Sequence, residues 1–236
     1  MQLEQIILNY NNGLSNFANG ATVWPPSTAS AQLLGEGVLI HKIDLPTAAL
    51  ISTRIKYGLG SLTELMPGMD LVSYALACLA IESTLDPNCQ NANTGVNSLG
   101  VARSNPNNDP MLYDMGIAQL KLEYIKAPGV VDHASALAFA LDVDKAIPYF
   151  ASIMADHVSW AQGIIAKNTS SAPDVRLSNP LLLATGAYNF GDTGMLNTYY
   201  ETGMFPSHCQ DVIDLEEYFS TKRGVPSIFA DLPKAA

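Results

Sequence analysis

Basic residues are scarce in this chain. Twelve Lys and Arg stand against 22 Asp and Glu in 236 residues, for a net charge of −10, and only "TKR" at 221–223 forms a short cluster. Phosphate backbones and anionic membrane surfaces are held by clustered cations, so nucleic acid and membranes are poor partners for this surface. The acidity also opposes approach to any negatively charged polymer, although physiological salt screens such repulsion beyond about 8 Å. Long apolar runs are missing as well. None approaches the roughly 18 residues that mark a membrane-spanning helix, so no membrane insertion is expected. The opening MQLEQIILNYNNG has no basic segment ahead of its apolar residues, which argues against a secretory signal. Three cysteines, Cys78, Cys89 and Cys209, form no closed disulfide framework. Free thiols in a protein made in a reducing compartment are the plain expectation, with a single Cys89–Cys209 bridge as the alternative. His41, His133, His157 and His208 show neither an HExxH pattern nor paired ligand spacing, so no metal and no cofactor is expected. A calcium loop beginning at Asp86 fails for want of Gly at its sixth position and Glu at its twelfth. No elbow motif marks a Ser or Cys nucleophile.

What remains is a globular composition, 48% hydrophobic and 14% charged, with strong helical signals. Helices are expected at 2–10, within "DLPTAALISTRIKYG" (44–58), and at 70–83, 115–126, 133–167, 180–189 and 206–219. In the second of these Asp44 is placed as the cap, Pro46 lies in the first turn, and Gly58 stops the helix. Residues 13–37, rich in Gly, Ser, Thr and Pro, read as an irregular arm. Residues 87–110 form an Asn-laden loop too long for a mere connector; a small β-hairpin there is left open. Strand-like alternation is scarce, so the fold is expected to be mainly α.

One residue interrupts this pattern. The helix "YALACLAIESTLDP" (74–87) is apolar nearly all round and should be central, yet it sets down Glu82 in its last turn. Desolvation and the negative end of the helix dipole both favour the neutral carboxyl there. A carboxylic acid that keeps its proton near neutral pH can protonate the leaving oxygen of a glycoside. The plainer alternative is a Glu that simply reaches solvent from a helix end.

"ESTLDP" (82–87), "GIAQL" (116–120) and "GAYNFGDTG" (186–194) stand in the order and context of motifs in the soluble lytic transglycosylases, lysozyme-like enzymes that cleave peptidoglycan and are related to goose-type lysozymes. The chain resembles that family over about residues 70–219. The resemblance implies a mainly α, lysozyme-like catalytic domain at 70–219, with a small β-hairpin or irregular loop region at the cleft. Residues 1–69 would be a helical and irregular extension packed on that body, and 220–236 a C-terminal tail. It also implies roles. Glu82 matches the catalytic acid/base. Gln119 matches the cleft glutamine that holds an N-acetylated sugar. Tyr188 matches the aromatic residue beside the Glu, its hydroxyl placed to orient the carboxyl, and Asn189 the polar contact after it. Ser83 follows the Glu as a helix-end hydrogen bonder, Gly116 allows close backbone approach, and Gly191 and Gly194 form the turn. The pattern also departs from the family: Ala118 stands where Met is usual, Leu85 replaces an aromatic, and the Asn-rich loop lengthens the gap between Glu82 and Gln119. That insertion is a candidate lid or peptide-stem contact.

Two chemistries share such a scaffold. An inverting muramidase needs a second carboxylate roughly 6.5–9.5 Å from the acid. Lys121 follows "QL" where the goose-type relatives carry acids nearby, which leaves Asp114, with Asp109 behind it, as candidates that could equally be helix N-caps. A lytic transglycosylase needs Glu82 alone, as acid and then as base, while the muramoyl 6-hydroxyl closes a 1,6-anhydro ring. The single-Glu route is preferred. The non-enzymatic rival is a lysozyme-like module that binds glycan or builds a particle. Without an export signal, the expected setting is a phage endolysin or virion-associated lysin, with a secretion-system enzyme second. It would be made in the bacterial cytoplasm and act on peptidoglycan glycan strands in the periplasm, with residues 1–69 available to dock virion or secretion-apparatus proteins.

Overall fold

A computed structural model of the chain describes residues 1–18, 41–92, 105, 107–167, 175–197 and 205–232. It is mainly helical with one small three-stranded antiparallel sheet. The helices are α1 (Leu3–Ala18), α2 (Leu45–Tyr57), α3 (Gly60–Leu65), α4 (Val72–Ser83), α5 (His133–Leu141), α6 (Val143–Lys167), α7 (Pro180–Asn197) and α8 (Ser207–Arg223). Strands β1 (Gln90–Asn91), β2 (Asp114–Met115) and β3 (Leu120–Lys121) lie in the order β1–β2–β3, with Asn91 and Lys121 on either side of Asp114.

The centre is α4. Every residue in it is buried except Val72 and Glu82, as its lack of a polar face requires. It packs on α8 and α2, and Tyr74 ties it to α7 by donating to the Leu181 carbonyl at 3.0 Å, with Thr185 Oγ1 at 2.9 Å. Helix α6 covers α7 with a buried face that includes Phe150, Met154 and Val158. Helix α1 buries Leu3, Ile6, Ile7 and Tyr10, a 3–4 spacing that makes one apolar stripe, and sets the Tyr10 ring against Phe219 at 5.0 Å with the planes tilted by 51°. The larger of two hydrophobic clusters among the described residues therefore runs from Leu3 in α1 through α4 to Phe229, with contributions from residues 1–69 and 220–232 alongside 70–219. Buried Glu216 holds the chain end, accepting from Ser220 Oγ at 2.7 Å, from Ser227 Oγ and from the Ile228 amide. Among the described residues no helix is long and apolar enough to cross a membrane.

Local rules explain the best-anticipated elements. Asp44 caps α2 by accepting from the Thr47 amide at 2.9 Å, with Pro46 in the first turn. Four expectations need correction. No helix occupies 115–126: Gly116 (φ +76°) and Gln119 (φ +47°) turn the chain so that β3 pairs back on β2, and a short 3-10 turn, Leu122–Tyr124, follows. The expected helix at 133–167 divides at Asp142 (ψ 103°), whose carboxylate accepts from the Asp144 amide and so starts α6. Helix α1 continues through "NNG" because Asn11 is held in place by tertiary partners, so the expected arm at 13–37 is helical at least to Ala18; 19–40 lie outside the described residues. Helix α7 extends beyond 189 but kinks at Gly191 (φ 71°, ψ 160°), a conformation that only Gly adopts readily. In the Asn-rich loop β1 and the 3-10 turn Pro110–Leu112 are seen, while 93–104 and 106, and with them any lid, lie outside the described residues. Cys78, Cys89 and Cys209 are buried free thiols, so Cys89 and Cys209 are not bridged.

Candidate active site

Glu82 owes its position to a sharp reversal just after it. Thr84 (φ 58°) and Leu85 (φ 63°) both occupy the left-handed region, which a β-branched residue and a bulky one adopt only at a cost of about 1–3 kcal/mol each. Buried partners hold the reversal. Asn11 Nδ2 donates to the Thr84 and His41 carbonyls at 3.2 and 3.1 Å, and its Oδ1 accepts from the Ile43 amide at 3.0 Å. Asp86, fully buried, accepts from the His41 amide and ring and from the Asn88 amide. The segment 1–69 thus fixes the end of the helix that carries Glu82.

The Glu82 side chain, 18% exposed, opens into a cavity of about 600 Å³, within the size range of small-ligand sites. Burial, with repulsion from Asp114 second, pushes its pKa up to about 8, so the carboxyl is largely neutral at pH 7. Gln119, Tyr188, Asn189 and Asp114 line the same cavity, brought from β2, the β2–β3 turn and α7. Gln119 Nε2 donates to the Cys89 and Gly116 carbonyls at 3.2 and 2.9 Å, which commits both of its protons. Its Oε1, with no donor among the described residues, remains as an acceptor. The Tyr188 hydroxyl donates to the Ala118 carbonyl at 2.5 Å. It therefore ties α7 to the β2–β3 turn, a role different from the expected orientation of Glu82 by that hydroxyl. Its ring meets Phe150 edge-on at 5.4 Å.

Two expected site residues do not line the cavity. Ser83 Oγ donates to the Ile117 carbonyl at 2.7 Å, with Leu79 O also in reach at 3.0 Å, so it joins α4 to the turn. Gly116 is needed for the fold: a Cβ there would sit 2.0 Å from the Ala140 carbonyl oxygen at the end of α5. Asp109 caps the Pro110–Leu112 turn, accepting from the Met111 amide. Asp114, a candidate helix N-cap from the sequence, lies instead in β2 and lines the cavity, with Lys121 opposite it in register. Gly191 makes the kink, and Gly186 lets the chain after it fold back, because a Cβ would meet Met195 Sδ at 2.2 Å.

Sequence reading missed several lining residues. Tyr149, Ile153 and His157 line the cavity from one face of α6, a spacing of four that was legible in principle; His157 Nδ1 lies 2.9 Å from Asp192 Oδ1. Exposed Tyr124 and Phe190 supply aromatic surface at the cavity. His208, in the first turn of α8, places Nε2 3.7 Å from Glu82 Oε1 and Nδ1 2.9 Å from Asn189 Nδ2. Burial pushes its pKa down to about 4, so it is neutral near pH 7. Nothing in its spacing signals this, since the contact depends on how α8 docks against α7. Among the described residues no three His, Cys, Asp or Glu side chains converge as metal ligands would.

The arrangement can therefore present a protonated acid, an amide acceptor and aromatic walls to a ligand in the cavity. Comparison with known proteins finds no matching family model, no similar curated protein and no similar solved structure.

Proposed function

We propose that the protein is a peptidoglycan-cleaving enzyme of lytic transglycosylase type, with a lysozyme-like arrangement of helices around a small sheet beside the cleft. The observation that carries the reading is the meeting of Glu82, its pKa pushed to about 8, with Gln119, Tyr188 and Asn189 in one cavity. A neutral carboxyl at pH 7 is the form required to donate a proton. Glu82 protonates the glycosidic oxygen between N-acetylmuramic acid and N-acetylglucosamine as that C–O bond breaks. The resulting carboxylate then takes the proton of the muramoyl 6-hydroxyl as its oxygen bonds to C1, which closes the 1,6-anhydro ring and restores the acid. The free Oε1 of Gln119 suits the N–H of an N-acetyl group.

A second reading, an inverting muramidase, is favoured by Asp114, which lies in β2 and shares the cavity with Glu82. Mass spectrometry of products from isolated sacculi separates the two: anhydro-muramoyl ends support the transglycosylase, reducing ends the hydrolase. Glu82→Gln is expected to abolish clearing of permeabilised bacteria while Asp114→Asn largely preserves it. Activity retained by Glu82→Gln refutes catalysis by this acid. No clearing by the wild-type chain supports the non-catalytic glycan-binding alternative. Action as a released or virion-borne wall enzyme, with residues 1–69 docking it into an assembly, belongs to the same proposal.

A further inference from the structure

We propose that His208 is a positioning residue for Glu82: a neutral imidazole, oriented by Asn189, whose Nε2–H faces the Glu82 carboxyl and hydrogen-bonds it as it becomes a carboxylate. The inference rests on the reading of Glu82 as the acid/base.

The geometry fixes the tautomer. Asn189 Nδ2 has only protons to offer, and it lies 2.9 Å from His208 Nδ1, so Nδ1 accepts. In a neutral ring the proton then sits on Nε2, the nitrogen 3.7 Å from Glu82 Oε1. That separation is too long for a hydrogen bond to the resting acid. It closes by a small movement when the carboxyl loses its proton and attracts the N–H, so the contact is stronger in the transition state than before it. Packing holds the ring in this orientation, since it is 14% exposed and meets Phe190 edge-on at 6.4 Å. Its place in the first turn of α8, at the positive end of the helix, also disfavours an imidazolium. The neutral form matters, because a cation beside Glu82 would strip its proton before the substrate did.

Cys78 on α4, Cys89 before β1, Asp114 on β2 and Tyr188 on α7 couple electrostatically to Glu82, and Tyr149 and His157 of α6 line the same cavity. Burial pushes both thiols up to about 12 and Tyr188 well above its ordinary value, so none of these three is charged near neutral pH. Asp114 and Lys121, its register partner on β3, line the same cavity.

The test uses the full chain on isolated sacculi, with rates measured from pH 5 to 10 for wild type, Glu82→Gln, His208→Asn and His208→Gln. Asn keeps an amide near Nδ1 but has nothing at Nε2; Gln can return a donor to the Nε2 position. His208→Asn is expected to lower kcat about 10–100-fold with KM little changed. Its alkaline limb should move to higher pH, because removing a donor from the carboxylate raises the Glu82 pKa. His208→Gln should recover most of both. An unchanged kcat and alkaline limb in His208→Asn, or equal impairment in His208→Gln, overturns the assignment while leaving Glu82 as the acid. An active Glu82→Gln overturns the underlying reading instead. Nitrogen chemical shifts of the His208 ring in the wild-type protein at pH 7 give a readout independent of activity and of variant folding. Protonation on Nε2 supports the proposal, and protonation on Nδ1 or on both nitrogens defeats it.

Discussion

Replacing Glu82 by Gln should stabilise the fold at alkaline pH and leave it nearly unchanged in acid. In the unfolded chain the carboxyl gives up its proton near 4.5, whereas in the folded protein it holds it to about 8. Between those values the folded state binds the extra proton, so stability falls as pH rises through the window and levels off above it. The amide has the shape of the protonated acid and no charge to desolvate. It therefore matches wild type below about pH 4.5 and exceeds it above about pH 8. The full displacement corresponds to a ceiling of about 5 kcal/mol. The side chain is 18% exposed to cavity water, which lowers the effective penalty, and a gain of about 1–3 kcal/mol is expected at pH 9. For a chain of this size that is a rise of roughly 3–10 °C in Tm. Thermal melts of both proteins at pH 4, 6.5 and 9, followed by circular dichroism, measure it. A Tm difference that does not vary with pH, or a Gln variant less stable than wild type at pH 9, refutes the sheltered acid. The measurement needs no substrate, so it tests the electrostatics apart from the activity.

Three further outcomes are expected. Gly116→Ala places a methyl against the Ala140 carbonyl at a positive φ and should destabilise the fold by roughly 2–5 kcal/mol, read by urea unfolding; a change under about 1 kcal/mol would contradict the packing of the turn on α5. Asn11→Ala leaves the Thr84 and His41 carbonyls and the Ile43 amide unpaired and should lose roughly 3 kcal/mol in the same assay; retained stability would mean that α1 does not hold the reversal after Glu82. Tyr188→Phe should lower stability by about 1–2 kcal/mol through the orphaned Ala118 carbonyl. The alkaline limb of its activity profile should stay in place; a shift would show that the hydroxyl bonds the catalytic carboxyl after all.

Local chemistry was legible where it acts within a few residues. The cap at Asp44, the apolar wrap of α4 and the oddity of Glu82 follow from side chains and period alone. In 115–126 apolar residues at helical spacing outweigh Gly116, and nothing local shows that Gln119 bends to a positive φ with its amide on the Gly116 and Cys89 carbonyls. The break at Asp142 was hidden in the same way: Asp is tolerated in a helix, and only the docking of α6 makes it a stop and a cap.

By itself, the sequence determined that the protein is helical, acidic and built around one apolar helix that ends in a carboxyl group. Hydrophobic period, capping residues and charge count are local or summed properties, and they need no knowledge of what lies across the fold. The tertiary structure alone decided that Gln119, Tyr188, Asn189 and Asp114 share a cavity with that carboxyl, that Tyr188 bonds the Ala118 carbonyl, and that His208 stands 3.7 Å away. It also decided that α1 braces the turn behind Glu82. These contacts join residues tens to more than a hundred positions apart. Their geometry, and with it the raised pKa of the acid, is set by how whole helices pack, which no short window of residues encodes.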